Sequence, residues 1–172
     1  MKKIKFLIVF LLLVGFTAKS QPPPDGSNVL NPELDKFEGT WIWSDGSKTL
    51  TLMLKKVNHN FGNYSKDVLY GVHQWVTPAG VIEDNLGNFS LLATDYKKSS
   101  VLLSQFPTTN ILDVIGSIDD LTKHQTHHLT LLFVAGSPNT IVWRLKPSER
   151  TTIDENPVYG TTLPRYAVLT KQ

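Results

Sequence analysis

Cysteine is absent from the 172-residue sequence, and this excludes disulfide bonds, a thiol nucleophile and any metal site built on thiolates. The sequence also lacks a run of roughly 20 apolar residues, the length that a transmembrane helix needs. It contains neither a Gly-x-Ser-x-Gly elbow nor a glycine-rich phosphate loop, which argues against an α/β hydrolase or a nucleotide-binding enzyme. A hydrophobic fraction of 41% with 19% charged residues is typical of one compact globular domain.

The first 20 residues form a segment of their own. Three lysines precede an apolar run from Phe6 to Phe16, and the small residues Ala18 and Ser20 stand just before Gln21. This pattern is typical of a secretory signal peptide cleaved between Ser20 and Gln21. No cysteine follows the run to carry a lipid. We therefore expect an exported protein, periplasmic or secreted, that is not a lipoprotein and has no membrane span after cleavage.

The formal net charge of +2 depends on that segment. Four of the 17 basic residues lie within the first 20 positions, and all 15 acidic residues follow them. Cleavage leaves 13 basic side chains against 15 acidic ones, a net charge of about −2. The mature domain therefore offers no electrostatic reason to expect a nucleic acid partner.

Residues 21–32 lead into the domain, which we place at residues 33–172 as a single β-barrel domain. Gln21 is followed by three prolines, which predict an extended, flexible and solvated lead-in. Asn31-Pro32 predicts the start of a single helical turn that ends at Phe37, because Pro is favoured at the first helical position. Leu34 and Phe37 share the buried side of this turn.

From Gly39 onward, apolar residues alternate with polar ones in short segments separated by turn residues, which is typical of antiparallel β structure. Residues 146–164, with three prolines, predict a long surface excursion before the last strand. Because open edges invite aggregation, we expect an antiparallel meander of about eight or nine strands that closes into a barrel, with a sandwich as the alternative. The predicted strands are Thr40–Ser44, Lys48–Val57, Val68–Thr77, Val81–Ile82, Phe89–Ala93, Ser100–Leu103, Ile111–Ile118, Leu129–Ala135, Thr140–Leu145 and Tyr166–Thr170.

Gly39-Thr40-Trp41, directly after the helical turn, resembles the glycine-x-tryptophan start of a lipocalin or related calycin barrel. Thr94-Asp95-Tyr96 resembles the second lipocalin motif. Arg144 and Arg165 are the candidates for the third element, an arginine packed over the tryptophan. The resemblance implies a lipocalin-like barrel in which the turn plugs one end and the tryptophan packs across it.

Most of the mature chain more closely resembles a family of short exported proteins of unknown function from Bacteroidota. This resemblance implies a small secreted or outer-membrane-facing β domain, and it carries over no catalytic residue. The matching stretches are Phe37–Trp41, Tyr70–Val76, Val81–Asp84, Ile141–Leu145, Leu163-Pro164 and Val168–Gln172.

Histidines and acidic pairs are the residues that could carry chemistry. His124, His127 and His128 lie close in sequence, but neighbours on a strand point to opposite faces, so we interpret them as a polar loop leading into a strand. The same argument applies to the acidic pairs as an acid and base; these are Glu83-Asp84, Asp119-Asp120 and Asp154-Glu155. We therefore predict no enzyme activity, no metal site and no cofactor.

The four tryptophans are the most informative side chains, since each buries on the order of 200 Å² and suits both core packing and a pocket wall. Trp41 and Trp43 share one strand face, Trp75 shares a face with His73, and Trp143 can join the same interior. Two hypotheses follow for a monomeric protein. In the first, these five residues bind a small apolar or amphipathic ligand inside the barrel. In the alternative, the domain is a non-enzymatic interaction or structural module that another envelope protein recognises.

Overall fold

The computed structural model describes residues 23–105, 112–148 and 160–172, which form ten strands and three short 3₁₀ helices. The 3₁₀ helices are Pro32–Phe37, Leu86–Leu91 and Tyr96–Lys98. The predicted signal peptide, the turn at residues 107–110 and most of the predicted excursion lie outside the described residues. The strands are β1 Asn28–Val29, β2 Gly39–Ser44, β3 Thr49–Asn60, β4 Ser65–Thr77, β5 Gly80–Asp84, β6 Val101–Ser104, β7 Asp113–Asp120, β8 Gln125–Phe133, β9 Thr140–Lys146 and β10 Tyr166–Lys171.

Eight of these strands close into a barrel in the order β4-β3-β2-β10-β9-β8-β7-β6, and pairing of β6 with β4 completes the circle. All neighbours within the barrel are antiparallel. The predicted antiparallel barrel is therefore confirmed, and the sandwich is not formed. Strand β4 pairs with β3 along one edge and with β1, β6 and β5 in turn along the other.

The 3₁₀ helix Pro32–Phe37 packs into one end of the barrel. Leu34 and Phe37 are fully buried, as the helical-turn prediction requires. Trp41 Nε1 donates a hydrogen bond to the Phe37 carbonyl at 2.8 Å, and the Phe37 ring meets Phe133 edge-on with 5.7 Å between centroids. The helix therefore fills this end of the barrel, and the opposite end is called the barrel mouth below.

Side chains along each strand point alternately into the barrel and away from it. Cross-strand register places Trp41 opposite Leu52 and Leu52 opposite His73, all facing inward. Nearer the mouth, Leu50 lies between Trp43 and Trp75 in the same way. Odd-numbered residues of β4 therefore face the core, and even-numbered ones face outward.

The segment Phe89–Ala93 is not a strand, and that prediction was wrong. Leu86, Phe89 and Leu92 recur every third residue, which suits a 3₁₀ helix rather than a strand. They pack on the outer face of β4 against Val68 and Val72. The segment therefore covers the barrel from outside.

Several strand boundaries and part of the lead-in also differ from the prediction. Strand β3 runs on to Asn60, and β8 begins already at Gln125, because hairpin pairing extends strands through polar residues. In the lead-in, Asn28 and Val29 pair in parallel with the start of β4, and Gly26 N donates to the Asn63 carbonyl at 2.6 Å. This part of the lead-in is therefore attached to the barrel instead of being solvated throughout.

Candidate functional site

The structure brings the five predicted ligand-binding residues to the barrel interior. Trp41, His73 and Trp143 have no exposed surface, and Trp75 exposes 6%. Only Trp43 is partly buried, packed against the core. A side chain that lined an open cavity would keep accessible surface, so the interior at the level of Trp41 and Trp143 is filled by protein atoms.

At the barrel mouth, Trp43 stacks on Trp75 with 6.0 Å between ring centroids and 22° between planes. Residues 160–164 also lie at the mouth, where the Thr162 amide donates to Asp120 Oδ2 at 2.6 Å. Leu163 is buried in the core, and Trp143 Nε1 donates to the Pro164 carbonyl at 2.8 Å. Residues 160–164 therefore cover part of the mouth, and we call them the mouth cover below.

Beneath this cover lies a buried polar network that begins at His73 on β4. Its Nδ1 lies 2.8 Å from Ser100 Oγ, and its Nε2 lies 2.7 Å from Glu83 Oε2 on β5. The main chain fixes Ser100, whose amide donates to the Gly71 carbonyl at 2.9 Å. Glu83 Oε1 accepts from the Thr122 amide at 3.3 Å. Both ring nitrogens of His73 are thus satisfied by buried partners.

Asp120, at the end of β7, continues the network towards the mouth. Its Oδ2 accepts from the Thr162 amide at 2.6 Å and Oδ1 from the Lys123 amide at 2.8 Å. Burial raises the pKa of Asp120, but these hydrogen bonds outweigh burial and hold the pKa below its usual value.

His127 on β8 is the last member of the network. Its Nδ1 accepts from the Ser148 amide at 3.2 Å, while Nε2 lies 3.7 Å from Asp120 Oδ2 and has no hydrogen-bond partner among the described residues. Burial lowers the pKa of His127 despite the nearby Asp120 carboxylate. The imidazole is therefore neutral at pH 7.

Ser100, His73 and Glu83 place a hydroxyl, an imidazole and a carboxyl group in series, which are the groups of a nucleophilic site. All three residues expose 3% of their surface or less, so a substrate has no path to the Ser100 hydroxyl in this arrangement. In the described ranges, no three His, Asp or Glu side chains converge as metal ligands would. The hydrogen bonds of the network join β4 to β5 and to the start of β6, and Asp120 joins the end of β7 to the mouth cover.

Sequence reasoning missed Ser100 and Glu83 as partners of His73, and it missed Asp120 and His127 as buried members of the same network. The signal that could have found two of them is alternation: Asp120 shares the inward face of Ile118, and His127 shares that of Leu129. The prediction that His127 and His128 point to opposite faces is confirmed, since His127 is buried and His128 is exposed.

A second candidate site lies on the outside of the barrel, where five rings form a continuous cluster that we call the aromatic platform. Its members are His59, Phe61, Tyr64, Tyr70 and Tyr96. The His59 ring meets Phe61 and Tyr96 edge-on, each with 4.5 Å between centroids. Phe61 stacks on Tyr64 at 5.4 Å, and Tyr70 stacks on Tyr96 at 5.4 Å.

The aromatic platform has a buried base and an open surface. Tyr70 is buried, and this burial raises the pKa of Tyr70 to about 12. Phe61 exposes 45% and Tyr96 41% of their surface. The platform escaped sequence reasoning because the predicted second strand ended at Val57, so His59 was not placed on the outward face of β3.

The hairpin between β3 and β4 holds the exposed end of the aromatic platform rigidly. Phe61 N donates to the Tyr64 carbonyl at 2.9 Å, and Gly62 N donates to Asn60 Oδ1 at 2.7 Å. Gly62 has a φ of +94°, which is accessible to glycine without strain. Tyr96 lies in the 3₁₀ helix Tyr96–Lys98 on the other side, where the Lys97 amide donates to Asp95 Oδ1 at 3.2 Å.

These features define a small closed antiparallel barrel protein with a packed interior and an aromatic outer surface. The chain belongs to DUF6705, a family of unknown function, whose family model matches residues 1–172. Neither the curated proteins nor the solved structures contain a match to the chain. Within the part of the chain that the structure describes, no helix is both long and apolar enough to cross a membrane.

Proposed function

We propose that the protein is an exported, non-enzymatic interaction module whose barrel is a rigid scaffold and whose contacts are made by its outer surface. One observation carries this proposal: the inward side chains Trp41, His73 and Trp143 expose nothing, whereas Phe61 and Tyr96 on the outside expose more than 40%. Large exposed aromatic groups are typical of interaction sites.

The burial of the polar network supports a non-enzymatic role. A catalytic site needs its nucleophile and base within hydrogen-bond reach of a substrate, and Ser100 and His73 reach only each other and Glu83. The groups satisfy one another, which makes the network a structural element of the barrel mouth.

Fluorine NMR distinguishes the outer surface from the interior. In protein labelled with 5-fluorotryptophan, the four tryptophans report on the interior and the mouth; in protein labelled with 3-fluorotyrosine, Tyr64, Tyr70 and Tyr96 report on the platform, and Tyr166 serves as an exposed control. We expect envelope extract of the source organism to shift the platform tyrosines and to leave Trp41 and Trp143 unchanged. Shifts confined to the tryptophans, or no shift at all, would contradict the proposal.

Export is tested at the predicted cleavage site. We expect the mature protein to be recovered from outside the cytoplasm with Gln21 as its first residue, and Ser20→Leu to impair cleavage because the peptidase needs a small residue there. A protein that retains Met1 in the cytoplasm would contradict this part of the proposal.

A binding barrel for a small apolar or amphipathic ligand is the second candidate. It is favoured by Trp43, which keeps part of its surface exposed at the mouth and stacks on Trp75. Native mass spectrometry with a fatty acid and detergent panel tests it. A bound species that is lost in Trp43→Ala and retained in Trp43→Phe would support the second candidate over the first.

A further inference from the structure

We infer that the aromatic platform is a carbohydrate-binding site that takes the pyranose rings of a glycan. The inference rests on the proposed function, in that it assigns a ligand class to the outer surface. It goes beyond that function because an outer contact surface could equally serve a protein.

The chemistry of a pyranose matches the groups that the platform presents. A pyranose has C–H groups on its faces and hydroxyl groups around its edge, so it needs a flat apolar surface bordered by hydrogen-bonding groups. Phe61 and Tyr96 supply the exposed ring surface. The hydroxyl groups of Tyr64 and Tyr96 and the imidazole of His59 supply donors and acceptors within the same cluster.

The spacing of the rings allows one glycan to contact several of them. Phe61 and Tyr96 each lie 4.5 Å from the His59 centroid, so their own centroids are no more than twice that distance apart. Both rings stand nearly perpendicular to His59, at 79° and 77°. The two exposed rings thus flank one imidazole within the reach of neighbouring sugar units.

The aliphatic part of this outer face is already covered by the chain itself. Phe89 and Leu92 pack over Val68 and Val72, and this covering segment ends at the exposed Tyr96. The platform itself is therefore made of aromatic rings that carry polar groups, and this combination suits a sugar better than a purely apolar ligand.

The platform is also preorganised, which reduces the entropy lost on binding. The hairpin hydrogen bonds of Phe61 and Gly62 and the bond from Gly26 N to the Asn63 carbonyl fix one side of it. Stacking of Tyr96 on Tyr70, at 5.4 Å and 25°, fixes the other. Rigid rings of this kind suit weak ligands such as oligosaccharides.

The test uses the full mature chain and four hexasaccharide probes, built from glucose in α-1,4 or β-1,4 linkage, from mannose and from N-acetylglucosamine. Isothermal titration calorimetry gives the affinity, and 3-fluorotyrosine NMR gives the location. We expect at least one probe to bind and to shift Tyr64 and Tyr96 but not Tyr166. Phe61→Ala and Tyr96→Ala should each weaken binding roughly three- to tenfold, the value of one aromatic contact.

Tyr166→Ala is the matched control, since Tyr166 exposes 59% of its surface on β10, away from the platform. Tyr166→Ala should bind the sugar as tightly as the unmodified protein does. Tyr96→Phe keeps the ring and should therefore retain the part of the affinity that comes from stacking. An unchanged circular dichroism spectrum shows that each variant folds. If Tyr96→Ala does not fold, the affinity of Phe61→Ala alone tests the inference.

Two outcomes overturn the inference. In one, no probe binds, or Phe61→Ala binds as tightly as Tyr166→Ala. In the other, the platform tyrosines respond to a protein from the envelope extract and to none of the sugars, which leaves the proposed function standing. The proposed function itself fails only if ligand-induced shifts fall on the tryptophans or nothing in the extract produces a shift.

Discussion

His73 Nε2 lies 2.7 Å from Glu83 Oε2, with both side chains fully buried. Removing one partner of such a pair leaves the other without compensation in the core, which costs more than the pair contributes on balance. We expect Glu83→Ala to lower the free energy of unfolding by about 3 kcal/mol or more, measured by urea denaturation. Glu83→Gln, which keeps an acceptor for the imidazole, should cost less.

Asp84→Ala is the control for this prediction. Asp84 is the next residue on β5, faces outward and accepts a hydrogen bond from the exposed Gln74 amide at 2.9 Å. Its loss should cost below about 1 kcal/mol. Equal effects at positions 83 and 84 would show that burial of the network does not matter to stability.

His127 makes stability depend on pH. Its pKa in the folded protein lies below the unfolded value because of burial, so the unfolded chain binds the proton more readily. Stability should therefore fall as the pH drops below about 6.5, the usual histidine pKa, until the pH reaches the folded value. Thermal unfolding between pH 8 and pH 5.5 measures this slope.

The adjacent histidine provides the control for that slope. His127→Gln should flatten it, whereas His128→Gln, at an exposed position, should leave it unchanged. A slope that survives His127→Gln in full would assign the pH dependence to other groups.

Asp120 should cause a second loss of stability, at a lower pH than the loss caused by His127. Burial raises the pKa of Asp120 in the folded protein, but the hydrogen bonds from the Thr162 and Lys123 amides outweigh burial and lower the pKa. The stability that this carboxylate contributes is present above its unfolded pKa, about 3.9, and is lost as the pH falls through the lower folded value. In Asp120→Asn we expect faster hydrogen exchange at the Thr162 amide and a smaller loss between pH 5 and pH 2. Exchange at Thr162 that is unchanged in this variant would refute the role of Asp120 in holding the mouth cover.

Gly116 on β7 tolerates no side chain. A Cβ placed there would lie 1.9 Å from the Leu102 carbonyl oxygen and 2.9 Å from Leu103 Cα, and these backbone atoms move only if the β6–β7 pairing moves. We expect Gly116→Ala to destabilise the protein by about 3 kcal/mol or more. Gly87→Ala, where nothing lies within 4 Å, should change stability little in the same urea titration.

The sequence predicted the barrel because alternation is a local signal that each strand carries by itself. It also placed His73, Trp75 and the first two tryptophans on inward faces. The partners of His73 were not predictable in the same way, because Ser100 reaches it only through the pairing of β6 with β4, and Glu83 only through the irregular register of β5 on β4. The aromatic platform was missed for the same reason, since Tyr96 joins His59 only after its segment folds over β4.

The position of β10 between β2 and β9 has a consequence for the order of folding. Thr170 and Lys171 pair with Ile42 and Trp41. One edge of β2, the first barrel strand to be synthesised, therefore stays unpaired until β10, the last, has been made. During synthesis, β2 to β9 can pair in sequence, but they leave two unpaired edges until residues 166–171 emerge. Contacts of such long separation close slowly. A nascent chain halted before Tyr166 would therefore expose the very edges that the finished barrel eliminates, and it would be the species most prone to aggregate.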